Sequence, residues 1–195
     1  MPGVYIMPRI LLLSGADTGL QKLRVLLTEL PEAEICALHG REDAEKEGGL
    51  SGYDLIVIYP PLSDCEGFEL AESLLKKETA GVLVVVKKET PVQEYSKAEA
   101  GGAVILEKPF TKELFVALSK ACLAARRRME LLGERAELLE NRVEETKLVG
   151  RAKCVLIQYL NMTEVQAHRY IEKQAMDMRM SRTAVAMGIL RAYES

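Results

Sequence analysis

The rhythm of apolar and polar positions changes twice along the chain. In the first stretch, short apolar runs alternate with helical spacing. Arg9–Leu13, Ala33–Leu38, Asp54–Tyr59, Gly81–Val86 and Ala103–Leu106 read as strands, the third ended by Pro60-Pro61. Between them, Gly19–Leu30 carries Leu20, Leu23, Leu27 and Leu30 at helical steps, and Gly67–Lys77 carries Phe68, Leu70, Ala71, Leu74 and Leu75. Thr111 has the chemistry of an N-cap for a helix beginning at Lys112. Strands apolar on both faces belong to a parallel sheet covered on both sides. The β-α alternation predicts an α/β, doubly wound, five-stranded parallel sheet, with its functional edge at the carboxyl ends of the strands.

The second stretch is a single helical pattern. Leu118, Cys122, Ala125, Met129, Leu132, Ala136, Leu139, Val143 and Thr146 follow steps of four and three, with charged residues on the flanks. This heptad seam predicts a coiled-coil helix over residues 118–146, with Met129, Leu132, Ala136, Leu139 and Val143 as its core positions. The alternative is one long helix packed on its own domain. The third stretch, 147–195, predicts a small three-helix all-α domain. Its first helix runs on to about Leu160. Thr163 and Gln166 form a capping-box pattern for the second, and Ser181 caps the third. Its expected core is Val155, Leu156, Leu160, Val165, Ile171, Ala175, Val185 and Ile189, with Met176, Met178, Met180 and Met187 as adaptable filling.

Charge separates the same three segments. Residues 1–117 carry 12 Lys and Arg against 19 Asp and Glu, residues 118–146 carry 6 against 6, and residues 147–195 carry 8 against 4. The overall net charge of −3 conceals this acidic front and basic tail. The 195 residues suffice for a real core without disulfide or metal staples. Cys36, Cys65, Cys122 and Cys154 form no CxxC pair, which excludes a recognisable zinc or redox motif and predicts free thiols in a reducing cytosol. His39 and His168 are not spaced with other ligands, so no metal is expected. No apolar run approaches the roughly 18 to 20 residues that span a bilayer. Val4–Leu13 is broken by Pro8 and Arg9 and lacks the form of a signal peptide. A cytoplasmic location without membrane contact is the expectation.

The front segment, roughly residues 8–120, resembles the response-regulator receiver domain. Ala100–Phe110 matches the run leading into that family's Lys-Pro pair, and Asp54–Tyr59 followed by Pro61 matches its third strand. The family's phosphorylation site uses an acidic pair, a phosphoacceptor aspartate, a hydroxyl and a lysine. Here those positions read Ser14 and Gly15, Tyr59, Val86 and Lys108, and the aromatic switch position reads Ile105. Magnesium needs hard oxygen ligands, usually carboxylates, and this degenerate set supplies none. Asp17 is the nearest acid that could substitute. A pseudo-receiver insensitive to phosphodonors follows, with a regulatory protein or small ligand as its candidate partner and scaffolding or packing as the plain alternative for Tyr59 and Lys108.

The tail, roughly residues 140–192, resembles the ANTAR domain, the RNA-binding module of transcription antitermination regulators. Arg151–Ile157, Thr163–Ala167 and Arg169–Asp177 match in register, while Cys154 stands where Gly is usual and His168 where an aromatic is usual. The resemblance implies binding to leader mRNA with tandem stem-loops. The residues independently offer a basic surface of Arg151, Lys153, Arg169, Lys173, Arg179 and Arg182, with Arg169 and Lys173 on one helical face. Tyr170 and His168 could stack on unpaired bases.

These readings converge on an RNA-binding transcription antiterminator of the response-regulator type. It would act as a homodimer through the coiled coil and capture paired hairpins. A DNA-binding regulator is the alternative, although Ala184, Val185, Ala186 and Met187 offer few base-reading groups for a recognition helix. A protein-interaction adaptor is another. No catalytic constellation stands out, so the chain reads as a non-enzyme that needs no cofactor.

Overall fold

A computed structural model describes residues 7–28, 30 and 33–193. Residues 4–6 of the apolar stretch at the start, and Glu29 in the predicted first helix, lie outside them. The chain forms two compact units, 1–131 and 132–195.

The first unit is built on five parallel strands: β1 (Arg9–Leu13), β2 (Glu34–Leu38), β3 (Leu55–Ile58), β4 (Gly81–Lys87) and β5 (Val104–Lys108). Their order is β2-β1-β3-β4-β5, with in-register pairs such as Leu11 with Ile56 and Ile56 with Val82. Alternate residues of each strand feed two separate cores. Leu11, Leu13, Ile56, Ile58, Val82, Val84 and Val86 pack on one side with Leu70 and Leu74 of α3 (Gly67–Lys77) and Tyr95 and Ala98 of α4 (Val92–Ala100). Ile10, Leu12, Leu55, Val57, Leu83 and Val85 pack on the other. There they meet Leu20, Leu23 and Leu27 of α1 (Asp17–Leu27) and Phe115 and Cys122 of α5 (Lys112–Leu160). This period of two is why the strand runs read as apolar throughout.

The first helix begins two residues before the expected start and ends at Leu27, with the Thr28 hydroxyl bonded back to the Val25 carbonyl at 2.7 Å. Two helices escaped the sequence pattern. The six-residue α2 (Arg41–Lys46) buries only Ala44, and α4 buries only Tyr95 and Ala98.

Thr111 starts α5 as expected. Its hydroxyl accepts the Leu114 N–H at 3.3 Å, and Phe110 stacks on Phe115 at 5.9 Å, a hydrophobic staple across the cap. The helix then runs 49 residues without interruption. Its start lies so close to β4 that a Cβ on Gly81 would stand 3.0 Å from that of Cys122. The heptad seam therefore begins later than its periodicity suggests. Leu118 and Cys122 belong to the core of the first unit, whereas Met129, Leu132, Leu139 and Val143 are each more than half exposed, and Ala136 is exposed beside them.

The second unit packs the end of α5 against α6 (Glu164–Met178) and α7 (Arg182–Tyr193). Thr163 and Gln166 form both arms of the predicted capping box, at 3.3 and 2.8 Å. Ser181 caps α7 through the Ala184 N–H at 3.1 Å. The core holds Ala152, Val155, Leu156, Ala167, Ile171, Ala175, Val185, Ala186 and Leu190, with Ile189 packed against it. Leu160 and Val165, expected inside, are exposed, as are Met176, Met178, Met180 and Met187. The physical reason is close helix approach. Ala152, Ala167, Ala175 and Ala186 occupy the contact, and the small core has no volume left for thioether side chains.

Candidate functional site

The carboxyl edge of the sheet carries the degenerate phosphorylation positions. Ser14, at the end of β1, is buried; its N–H donates to the Leu38 carbonyl at 3.1 Å, and its own carbonyl lies 3.2 Å from His39 Nδ1. The Gly15 N–H donates to the Pro61 carbonyl at 2.8 Å. A Cβ on Gly15 would stand 2.9 Å from both Leu62 C and Pro61 O, so the backbone of residues 61–63 occupies the space a side chain there would need. Asp17 does not replace the missing acid. It is largely exposed and faces His39 Nε2 at 3.5 Å.

Tyr59 follows β3, and its N–H donates to the Leu13 carbonyl at 2.8 Å. Lys108 Nζ stands 3.5 Å from the centroid of its ring. The lysine that would otherwise meet an anion is held by an aromatic face. Val86 is buried, and Ile105 packs half-buried against the same side of the sheet. Among the described residues, no three His, Cys, Asp or Glu side chains cluster to hold a metal ion. At Ser14, Gly15, Tyr59 and Val86 the arrangement provides packing and a cation–π contact for Lys108, and none of these four positions carries a carboxylate.

Beside it, Asp64 accepts the backbone N–H groups of Arg41 at 3.0 Å and Glu42 at 2.6 Å, capping α2 from a distant loop. The Glu42 N–H, followed by that of Arg41, holds the Asp64 carboxyl below its ordinary range. Burial, reinforced by Asp64, pushes the neighbouring Cys65 thiol up to about 11.

The basic residues of the second unit divide into two sets. Lys153 pairs with Glu164 at 3.0 Å, its side chain only 23% exposed, and holds that carboxyl below its usual range. Arg182 pairs with Glu145 at 2.9 Å. These two stitch the helices together. Arg151 is exposed at the surface of α5 and is engaged by an interaction of its own. Arg169, Lys173 and Arg179 are exposed and have no carboxylate partner among the described residues. Tyr170 is exposed on the flank of the same helix, while His168 faces Glu172 at 3.4 Å.

The inward face of α6 is Ala167, Ile171 and Ala175. Arg169 and Lys173 lie opposite, as their spacing predicts, and Val165 and Met176 join them. The steps 165, 169, 172 and 176 show that placement in the sequence once the inward face is correctly assigned. Sequence reasoning also missed the Tyr159–Tyr193 ring pair, 5.4 Å between centroids, joining the ends of α5 and α7.

No helix among the described residues is long and apolar enough to cross a membrane. The ANTAR domain family matches residues 137–190. Over 138 residues the chain is 32% identical to the transcriptional regulatory protein PdtaR of Mycobacterium tuberculosis (strain H37Rv), covering 70% of this chain and 67% of that protein. Among solved structures it is similar to the response regulator StyR, with a TM-score of 0.68 and 15% identity over 96% of this chain and 100% of that one. A two-component response regulator from Clostridium difficile matches with a TM-score of 0.53 and 28% identity, over 63% of this chain and 98% of that one. The fold defines a receiver-type α/β unit followed by a helical one. The chain belongs to the ANTAR response-regulator family, regulators of the antiterminator kind.

Proposed function

We propose that the protein is an RNA-binding transcription antiterminator that captures two leader-RNA hairpins as a dimer, under the control of a partner or ligand of its pseudo-receiver. The observation that carries this reading is the exposed positive charge of Arg169, Lys173 and Arg179, which have no carboxylate partner among the described residues, on the helical unit matched by the ANTAR family. Cations without protein partners are the electrostatic footprint of a polyanion.

The exposed seam of α5 supports dimerisation. Val143 at an a position with Leu132 and Leu139 at d positions favours two strands. The flanks favour a parallel pair. Arg128, Arg135 and Arg142 fall seven apart on one flank. An antiparallel pair would set this arginine column against itself, whereas a parallel pair brings Arg135 toward Glu140 and Arg128 toward Gly133 of the second copy, leaving Arg142 toward Lys147 as the one like-charge pair. A parallel dimer carries both ANTAR domains at the same end of the coil, where two adjacent hairpins bind with a shared effective concentration. The Tyr59–Lys108 contact, together with the absence of a carboxylate at Ser14, Gly15 and Tyr59, supports control by docking rather than by phosphate.

The test is selection of full-length protein against a pool of two-hairpin RNAs with randomised loops. The selected RNA is then compared with its single hairpins and with duplex DNA across a salt series. Tight binding to the double hairpin, weakened by Arg169→Ala and Lys173→Ala but not by conditions that leave charge intact, supports the reading. Equal weak binding to all three nucleic acids refutes it.

A further inference from the structure

We infer that Val165, Arg169, Lys173, Met176 and Arg179 form one RNA-contacting ridge, in which the apolar members lie against unpaired loop bases and the three cations hold the backbone around them. This deepens the antiterminator reading and rests on it.

Three observations carry the inference. Val165 and Met176 are 61% and 79% exposed, on the same outward face of α6 as Arg169 and Lys173. With Ala167, Ile171 and Ala175 forming the inward face, neither of these two apolar side chains contributes to the core of the unit. Arg169 and Lys173, which lie between them, lack carboxylate partners among the described residues, while Lys153 and Arg182 elsewhere on the unit are paired. The same face also carries Glu172, which is turned to His168 at 3.4 Å; the apolar and cationic groups on either side of it fit a ligand that alternates flat apolar faces with phosphates, which describes a single-stranded loop. Methionine is also a known wedge against base faces.

The third observation is backbone strain. Arg179 ends α6 with φ 53°, in the left-handed region, while its N–H reaches the Met176 carbonyl at 3.2 Å and the Met180 N–H reaches that of Ala175 at 3.0 Å. This Schellman geometry is ordinarily served by glycine. Arg179 thus carries a cation at a position whose backbone conformation costs stability that a glycine would not lose.

The experiment uses full-length protein and the RNA selected above, both intact and with abasic sugars replacing its loop nucleotides. Met176→Gln with Val165→Gln is expected to lower affinity for the intact RNA by about tenfold, within the range of losing one stacked base, with the salt slope unchanged. The abasic RNA is expected to bind the parent protein as weakly as the intact RNA binds the variant, with no further loss when both changes are combined. Arg179→Gly is expected to raise the unfolding midpoint while lowering RNA affinity and reducing the salt slope by about one. If the parent protein binds the selected RNA and these variants bind it equally well, the ridge assignment is wrong and the antiterminator reading stands. If Met176→Gln changes sedimentation but not RNA affinity, the ridge is a protein contact and the inference falls. If selection enriches no RNA, both readings fall together.

Discussion

Lys108 directs its ammonium at the ring of Tyr59, 3.5 Å from the centroid, at the sheet edge where this fold otherwise handles phosphate. The pairing gives the lysine a neutral aromatic partner in place of an anion. Acetyl phosphate with magnesium is expected to leave the intact mass of the protein unchanged, and Tyr59→Asp to remain unmodified as well, because no acidic pair stands beside it. A phosphoryl adduct on the parent protein would falsify this. Tyr59→Leu and Lys108→Met are each expected to destabilise the first unit by about 0.5–1 kcal/mol, with a measurable coupling between them in a double-mutant cycle.

The seam of α5 makes a geometric prediction. In a parallel, in-register dimer, identical d positions face each other. Leu132→Cys in a Cys154→Ser background is therefore expected to form a disulfide-linked dimer under mild oxidation, and an antiparallel pair would leave it uncoupled. Lysine at both Leu132 and Leu139 is expected to abolish the dimer in sedimentation velocity. A parent protein that sediments as a monomer at all accessible concentrations overturns the arrangement.

Asp64 caps α2 only when ionised. Its folded carboxyl is held below the ordinary range by the Glu42 and Arg41 N–H groups. The contribution is thus complete above the unfolded carboxyl value near pH 4 and is lost as pH falls through the lower folded value. Asp64→Ala is expected to cost about 1 kcal/mol at neutral pH, as for other lost caps. Urea midpoints of the two proteins should converge at strongly acidic pH. A gap independent of pH would show that Asp64 acts by packing instead.

The four cysteines should label in a defined order. Cys154 is exposed, Cys36 and Cys65 are half-buried, and Cys122 is buried against β4. The Cys65 thiol, pushed up to about 11, carries very little thiolate at pH 8. A maleimide followed by mass spectrometry should modify Cys154 first, Cys65 slowly, and Cys122 only on unfolding. Early labelling of Cys122 would contradict the packing of α5 on the sheet.

The sheet was readable because its central strands, β3 and β4 above all, run apolar on both faces. The α2 and α4 helices were not, since Arg41–Lys46 and Val92–Ala100 bury one and two side chains and carry no apolar stripe. The caps at Thr111, Thr163 and Ser181 were legible because each acts within three residues. Ion pairing was not: Glu164 lies 11 residues from Lys153, and Glu145 lies 37 from Arg182. Sequence therefore offered six equivalent cations where folding leaves Arg169, Lys173 and Arg179 without a carboxylate partner among the described residues. The methionines were misplaced for a related reason. Hydrophobicity says what can be buried, but the alanine-lined contact decides what fits.

The backbone of residues 61–63 pressed against Gly15 makes this glycine a keystone of the sheet edge. Its N–H donates to the Pro61 carbonyl at 2.8 Å, and any side chain here would have to push that same loop away. An acid introduced at Gly15 would therefore displace the loop before it could serve as a ligand.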